Sequence, residues 1–107
     1  MRRGDVILVR EPNTPAAKAR PFVVTRNSAL ETPGKVTACP LTSRLRGSAG
    51  QRPTIVPTAQ NRLRSVSEVE VDWIYTHPIE HVSGVIGTVD ASTMDMIDIA
   101  LKRWLDL

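Results

Sequence analysis

The sequence predicts a small, mainly β barrel closed by one C-terminal α-helix. Three observations predict it: about six or seven short β-branched runs parted by turn residues, a single stretch of helical period at the end, and a length of 107 residues that suits one domain with one core. Val6 to Val9 and Pro21 to Thr25 are the first two strands, separated by residues 11–20, whose Pro12, Pro15 and polar side chains read as a loop. Val36 to Leu41 follows the turn signal Thr32-Pro33-Gly34. A second loop, Thr42 to Pro53, carries Arg44, Arg46, Arg52 and two glycines. Thr54 to Val56, the strictly alternating Glu68-Val69-Glu70-Val71-Asp72, then Trp73 to Thr76 and Val82 to Val89 complete the strands. Many short strands at this spacing argue for a barrel over a layered α/β sheet.

The last segment changes period. Asp90 is an N-cap candidate, and Met94, Ile97, Leu101 and Leu105 recur at steps of 3, 4 and 4, which places them on one helical face. Asp95 and Asp98 near the start and Lys102 and Arg103 near the end suit the helix dipole, and Asp98 with Lys102 forms an i,i+4 pair. The expected role of this helix is to cover the open side of the barrel and blunt a sheet edge.

Composition excludes several classes. A 41% apolar and 23% charged chain is globular, and no apolar run reaches the roughly 18 residues that span a bilayer. Arg2 and Arg3 precede a segment too short and too charged for a signal-peptide core, so the chain is expected in the cytoplasm, without membrane contact. One cysteine, Cys39, forms no internal disulfide and sits in a strand-like run as a small buried hydrophobe. His77 and His81 have no Cys or His at metal spacing. No metal and no cofactor are expected.

Charge is divided unevenly. Residues 1–64 hold 12 basic and 3 acidic side chains, a net +9, while residues 65–107 hold 2 basic and 8 acidic ones, a net −6. Eleven of the 14 basic residues are arginine, whose planar fork matches phosphate oxygens in pairs, although high genomic G+C content also favours Arg over Lys. The basic half points to a polyanion. No Gly-x-Ser-x-Gly and no phosphate-binding Gly-rich loop is present, and both histidines lie in a Pro-containing connection read as surface loop. What remains is a pair of loops: Lys18-Ala19-Arg20-Pro21, where Pro21 starts a strand with Arg20 at its mouth, and Leu41-Thr42-Ser43-Arg44-Leu45-Arg46, just beyond another strand end. If those strands are neighbours, both clusters meet at one rim and offer hydroxyls and guanidiniums to a phosphodiester.

In order and approximate spacing, five segments resemble the MazF/PemK toxins. They are Gly4-Asp5-Val6, Lys18-Ala19-Arg20-Pro21-Phe22-Val23-Val24, Pro40-Leu41-Thr42-Ser43, Val69-Glu70-Val71-Asp72-Trp73-Ile74, and Gly87-Thr88-Val89 followed by an amphipathic helix. The resemblance covers almost the whole chain as a single domain, residues 1–107. It implies an SH3-like β-barrel with a C-terminal helix, a homodimer, metal-independent cleavage of single-stranded RNA, and silencing by a cognate antitoxin. Carried over residue by residue, Arg20 matches the family's Arg-Pro arginine and Thr42 the threonine of its Pro-x-Thr motif, the two positions implied in catalysis. In such a reaction the ribose 2′-OH attacks the adjacent phosphorus, giving a 2′,3′-cyclic phosphate and a 5′-OH. Arg20 is the expected stabiliser of the developing charge and Thr42 the residue that orients the phosphate. Lys18, Ser43, Arg44 and Arg46 are expected RNA contacts. Asp72 matches an aspartate of the family's RNA surface, with a carboxylate paired to an arginine as its plain alternative.

The chain departs from the family pattern in three places. Leu8 stands where a Trp is common, Pro15 where some members have a Glu five positions before the arginine, and Glu70 where some have a basic residue beside the RNA. The general base is therefore unassigned. A second resemblance leads elsewhere: Glu31-Thr32-Pro33-Gly34, Pro40-Leu41 and the ending Trp104-Leu105-Asp106-Leu107 are similar to the CcdB toxins, which poison DNA gyrase, but the terminal Trp-Gly-Ile of that family is missing. A catalytically inactive SH3-like binding module is the third reading. The acidic half is expected mostly on solvated faces, and an acidic antitoxin tail competing for the basic loops is the expected mode of inhibition.

Overall fold

The computed structural model describes residues 1–10, 18–30, 33–47 and 51–107. Expectations that fall on 11–17, 31–32 and 48–50, Pro15 among them, lie outside the described residues. Among the described residues, seven strands form one antiparallel, half-barrel sheet: β1 (Asp5–Val9), β2 (Arg20–Val24), β3 (Lys35–Thr42), β4 (Thr54–Ile55), β5 (Ser67–Val69), β6 (Tyr75–Pro78) and β7 (Val82–Thr88). Helix α1 (Ala91–Leu105) follows. The sheet runs β4-β5-β3-β2-β1-β7, with β6 also paired to β3. The predicted fold class, an SH3-like barrel with a C-terminal helix, is the one observed.

Strand β3 organises this sheet. Along one edge, Lys35 to Ala38 pair with β6 and Leu41 and Thr42 with β5, while Ala38 to Pro40 pair with β2. Pro40 has no N–H to give and sits where the strand changes partner, its carbonyl accepting from the Glu70 N–H at 2.9 Å. Apolar side chains alternate between two clusters: Val6, Val23, Cys39, Leu41 and Val69 join Ile97, Ala100 and Leu101 of α1, while Ile7, Val9, Phe22, Val24, Val36 and Ala38 form the other. Full burial of each such side chain contributes about 1.5–3 kcal/mol, so the continuous apolar reading of β1 and β2 reflects burial on both faces.

The helix starts as expected, with the Asp90 carboxylate accepting from the Thr93 N–H at 2.8 Å and from Ser92 Oγ at 3.1 Å. Its buried face is Ile97, Ala100 and Leu101 with Met94 partly covered; Leu105 is exposed. Asp98 pairs with Arg3, not with Lys102, which ties the chain's start to the helix.

Two further expectations are corrected. His77 belongs to β6 and is buried, its ring edge-on to Phe22 at 4.6 Å and tilted against Tyr75 at 4.5 Å. The alternating stretch at 68–72 is a strand only to Val69, followed by a 3-10 turn at Val71–Trp73, and its glutamates are buried, not solvated. They surround Arg52, whose side chain is itself buried: Asp72 holds it through two bonds of 2.9 and 2.8 Å, with Glu70 at 3.6 Å and Glu68 at 3.9 Å. Period-2 alternation gives the same pattern whether the polar face meets water or a buried guanidinium. The second Glu68 oxygen accepts the backbone N–H groups of Arg46 and Gly47, both at 3.0 Å, and so fixes the loop after β3.

The segment between β4 and β5 is folded around one side chain. Asn61, 3% exposed, accepts from the N–H groups of Thr58 and Leu63 and donates to the Val56 carbonyl. The turn so formed lies against β7: the Thr88 N–H bonds the Gln60 carbonyl at 3.0 Å, and a Cβ on Gly87 would stand 2.5 Å from that oxygen and 2.6 Å from the Asn61 carbonyl. Only glycine lets the two backbones approach so closely.

Gly87→Ala therefore lifts the turn off β7, at an expected cost of about 2 kcal/mol, seen as a melting temperature lower by about 10 °C; an unchanged melt would contradict the contact. The guanidinium of Arg52 holds the Asp72 carboxyl below its usual range. The stability from this pair is present above the unfolded carboxyl's pKa and is lost as pH falls through the depressed native value. Urea midpoints should thus fall on acidification below about pH 4, and Asp72→Asn, weaker at neutral pH, should show a shallower fall.

Candidate functional site

Two strand ends create the site. Strands β2 and β3 are antiparallel neighbours, with Phe22 opposite Pro40 and Val23 opposite Cys39. Continuing that register by two residues sets Arg20, the first residue of β2, against Thr42, the last of β3. The rim expected from the sequence is therefore present. A groove of about 630 Å³ opens there, with Arg20, Thr42 and Ser43 on its wall and Leu8, Leu41, Leu63 and Ile86 as its apolar part.

Each polar group at the mouth is held differently. The Thr42 Oγ1 accepts the Arg44 N–H at 3.1 Å, which orients the hydroxyl and leaves its proton for an outside acceptor. Arg20 is 55% exposed and reaches Glu70 Oε1 at 3.3 Å, so one end of its fork is held while the rest faces solvent. Ser43 is exposed beside Thr42. Of the other predicted contacts, Lys18 is exposed two residues before Arg20, and Arg44 and Arg46 are exposed on the loop after β3; none of the three lines the groove. Asp72 lies outside the groove lining too, engaged by Arg52 as its plain reading had it.

Further basic residues of the groove were not anticipated. They are Arg62 and Arg64, with Ser65 beside them, carried by the turn that Asn61 and Gly87 seat. Arg62 has a φ of 60°, a left-handed conformation that a non-glycine residue adopts at a cost of about 1 kcal/mol. Strain of this kind persists only where the surrounding structure holds it, here in a turn seated on β7. Arg20, Arg62 and Arg64 thus line one concavity together with Thr42, Ser43, Ser65 and Ser67. An anionic backbone threaded there meets positive charge from more than one element. The only sequence signal for these two arginines is their share of the +9.

Other nucleophiles fare poorly in this setting. Burial pushes the Cys39 thiol up to about 12, which leaves it protonated at neutral pH. His77 is enclosed between Phe22 and Tyr75, away from the groove lining.

Comparison with known proteins agrees with this architecture. Residues 2–105 match the family of PemK-like, MazF-like toxins of type II toxin-antitoxin systems. A relative described as a probable endoribonuclease MazF, from Mycolicibacterium smegmatis, is 26% identical over 107 residues, all of this chain and 98% of the relative. The Mycobacterium tuberculosis toxin MazF-mt6 has a TM-score of 0.78 and 26% identity, covering 96% of this chain and 97% of its own. A MazE-MazF crystal structure from Deinococcus radiodurans matches with a TM-score of 0.79 over 100% of this chain and 97% of that one, at 18% identity, a likeness of fold. With the family match spanning nearly every residue, the CcdB-like reading is not favoured: the chain belongs to the PemK-like, MazF-like toxins of type II toxin-antitoxin systems.

Proposed function

We propose that this toxin is an endoribonuclease that cuts single-stranded RNA in the groove between Arg20, Thr42 and the Asn61 turn, with no metal in the chemical step. The convergence of Arg20 and Thr42 on one rim carries the reading. The ribose 2′-OH attacks the neighbouring phosphorus, the P–O5′ bond breaks, and the products end in a 2′,3′-cyclic phosphate and a 5′-OH. The free edge of the Arg20 guanidinium stabilises the charge gathering on the phosphoryl oxygens. A donor fixed in this way is worth about 3 kcal/mol. Thr42 donates to the phosphate and, with Ser43, holds the attacking and leaving oxygens in line. Arg62 and Arg64, on the groove lining, bind flanking phosphates, with Lys18, Arg44 and Arg46 extending the basic surface and Asp72 at its edge. DNA lacks the attacking hydroxyl and is not cut.

The protein acts in the cytoplasm as a homodimer. A dimer gives partners to part of the exposed apolar surface, which includes Trp73, Ile99 and Trp104. Its regulator is a cognate antitoxin, as in the mycobacterial endoribonuclease solved in complex with its own antitoxin. An acidic antitoxin segment laid over the arginines of the groove would exclude RNA by competing for the same charge.

Purified protein should cleave a mixed single-stranded RNA pool in EDTA. Arg20→Ala should lower the rate by about 10²-fold or more, with the melting curve unchanged. RNA binding should weaken steeply with salt, as phosphate contacts release counterions. Intact RNA in every pool, together with inhibition of gyrase supercoiling, would overturn the reading.

A further inference from the structure

The ion pair between Arg20 and Glu70 joins the groove to the buried charge cluster. Arg20 lies on β2, Glu70 just past β5, and β3 runs between them, so the pair crosses the end of β3. Its two ends differ in freedom. The Arg20 side chain is 55% exposed; the Glu70 side chain is 11% exposed and also stands 3.6 Å from Arg52, which Asp72 grips through two hydrogen bonds. Glu70 is further fixed through its backbone, which donates to the Pro40 carbonyl.

An ion pair between two mobile surface side chains contributes little, because both must be ordered to form it. Here one partner is already immobile, so only Arg20 is ordered. An arginine side chain carries a large rotamer freedom, which a substrate would otherwise have to remove at each encounter. Glu70 is shared between two guanidiniums, and a single contact to one Arg20 nitrogen leaves the remaining N–H donors for a phosphate.

We propose that Glu70, held by Arg52, is a positioning residue that fixes the Arg20 guanidinium at the groove before RNA arrives. The proposal rests on the ribonuclease reading above. It also gives a role to the acidic residue that stands where some family members have a basic one beside the RNA. Glu70 is not itself among the residues that line the groove, and it acts through Arg20.

The test compares single-turnover cleavage of a labelled single-stranded RNA pool by wild type, Glu70→Ala, Arg20→Ala and the double variant, with melting curves for each. Glu70→Ala should lower the cleavage rate by about tenfold or more at nearly unchanged RNA affinity. In the Arg20→Ala background the same substitution should do nothing further, whereas a merely structural role would lower both backgrounds alike. Glu70→Gln keeps the volume and an acceptor and should recover most of the rate. If Glu70→Ala does not fold, Glu70→Met takes its place. Independently of cleavage, the Arg20 side-chain Nε–H should show an NMR order parameter that falls when Glu70 is replaced. A faster Glu70→Ala enzyme would mean that the ion pair restrains Arg20 instead of presenting it. That result, equal losses in both backgrounds, or an Nε–H equally ordered without Glu70 would overturn the proposal. A wild type that cuts no RNA would overturn the ribonuclease reading, while the Arg20 order parameter still decides whether Glu70 fixes the side chain.

Discussion

An eight-residue strand with three partners is the constraint on which the molecule depends. Lys35 to Thr42 must pair with β6 and then β5 along one edge while also bonding β2, and the change of partner comes at Pro40, a residue with no N–H to leave unsatisfied. That change curves the sheet into a half-barrel. It also delivers the end of β3 beside the start of β2, and the roles proposed for Arg20 and Thr42 follow from that adjacency.

Polar groups near this end are arranged by burial as much as by charge. Arg52 would be costly in the interior alone, and the three carboxylates around it would repel one another; together they offset most of that cost. The cluster reaches in two directions: Glu68 ties down Arg46 and Gly47 in the loop after β3, and Glu70 reaches Arg20. At Arg62 and Arg64 a different device operates, in which Asn61 folds a turn and Gly87 lets it seat against β7. The strain at Arg62 is thus carried by a backbone that the rest of the fold holds in place.

Much of this was legible in the residues. Short β-branched runs and the 3.6 period after Asp90 predicted the barrel and the helix, and the Arg-Pro and Pro-Leu-Thr-Ser segments placed Arg20 and Thr42 at strand ends that prove to be neighbours. The burial of Glu68 and Glu70 was hidden because alternation does not say which face is wet, and their partner Arg52 lies 16 and 18 residues earlier in the chain. His77 misled because a proline beside it suggested a loop, whereas β6 ends on that proline. Arg62 and Arg64 were missed for a plainer reason: their place on the groove depends on a contact between residues 60–61 and Gly87 that no local pattern encodes.

The central claim is that the chain's own hydroxyl and guanidinium groups act on an attack by the ribose 2′-OH. The most direct measurement is mass spectrometry of the RNA termini left by the protein in EDTA. A 2′,3′-cyclic phosphate on one fragment and a 5′-OH on the next is the predicted result. Products ending in a 3′-OH and a 5′-phosphate would contradict it, because they require water or another outside nucleophile where the account has the ribose itself.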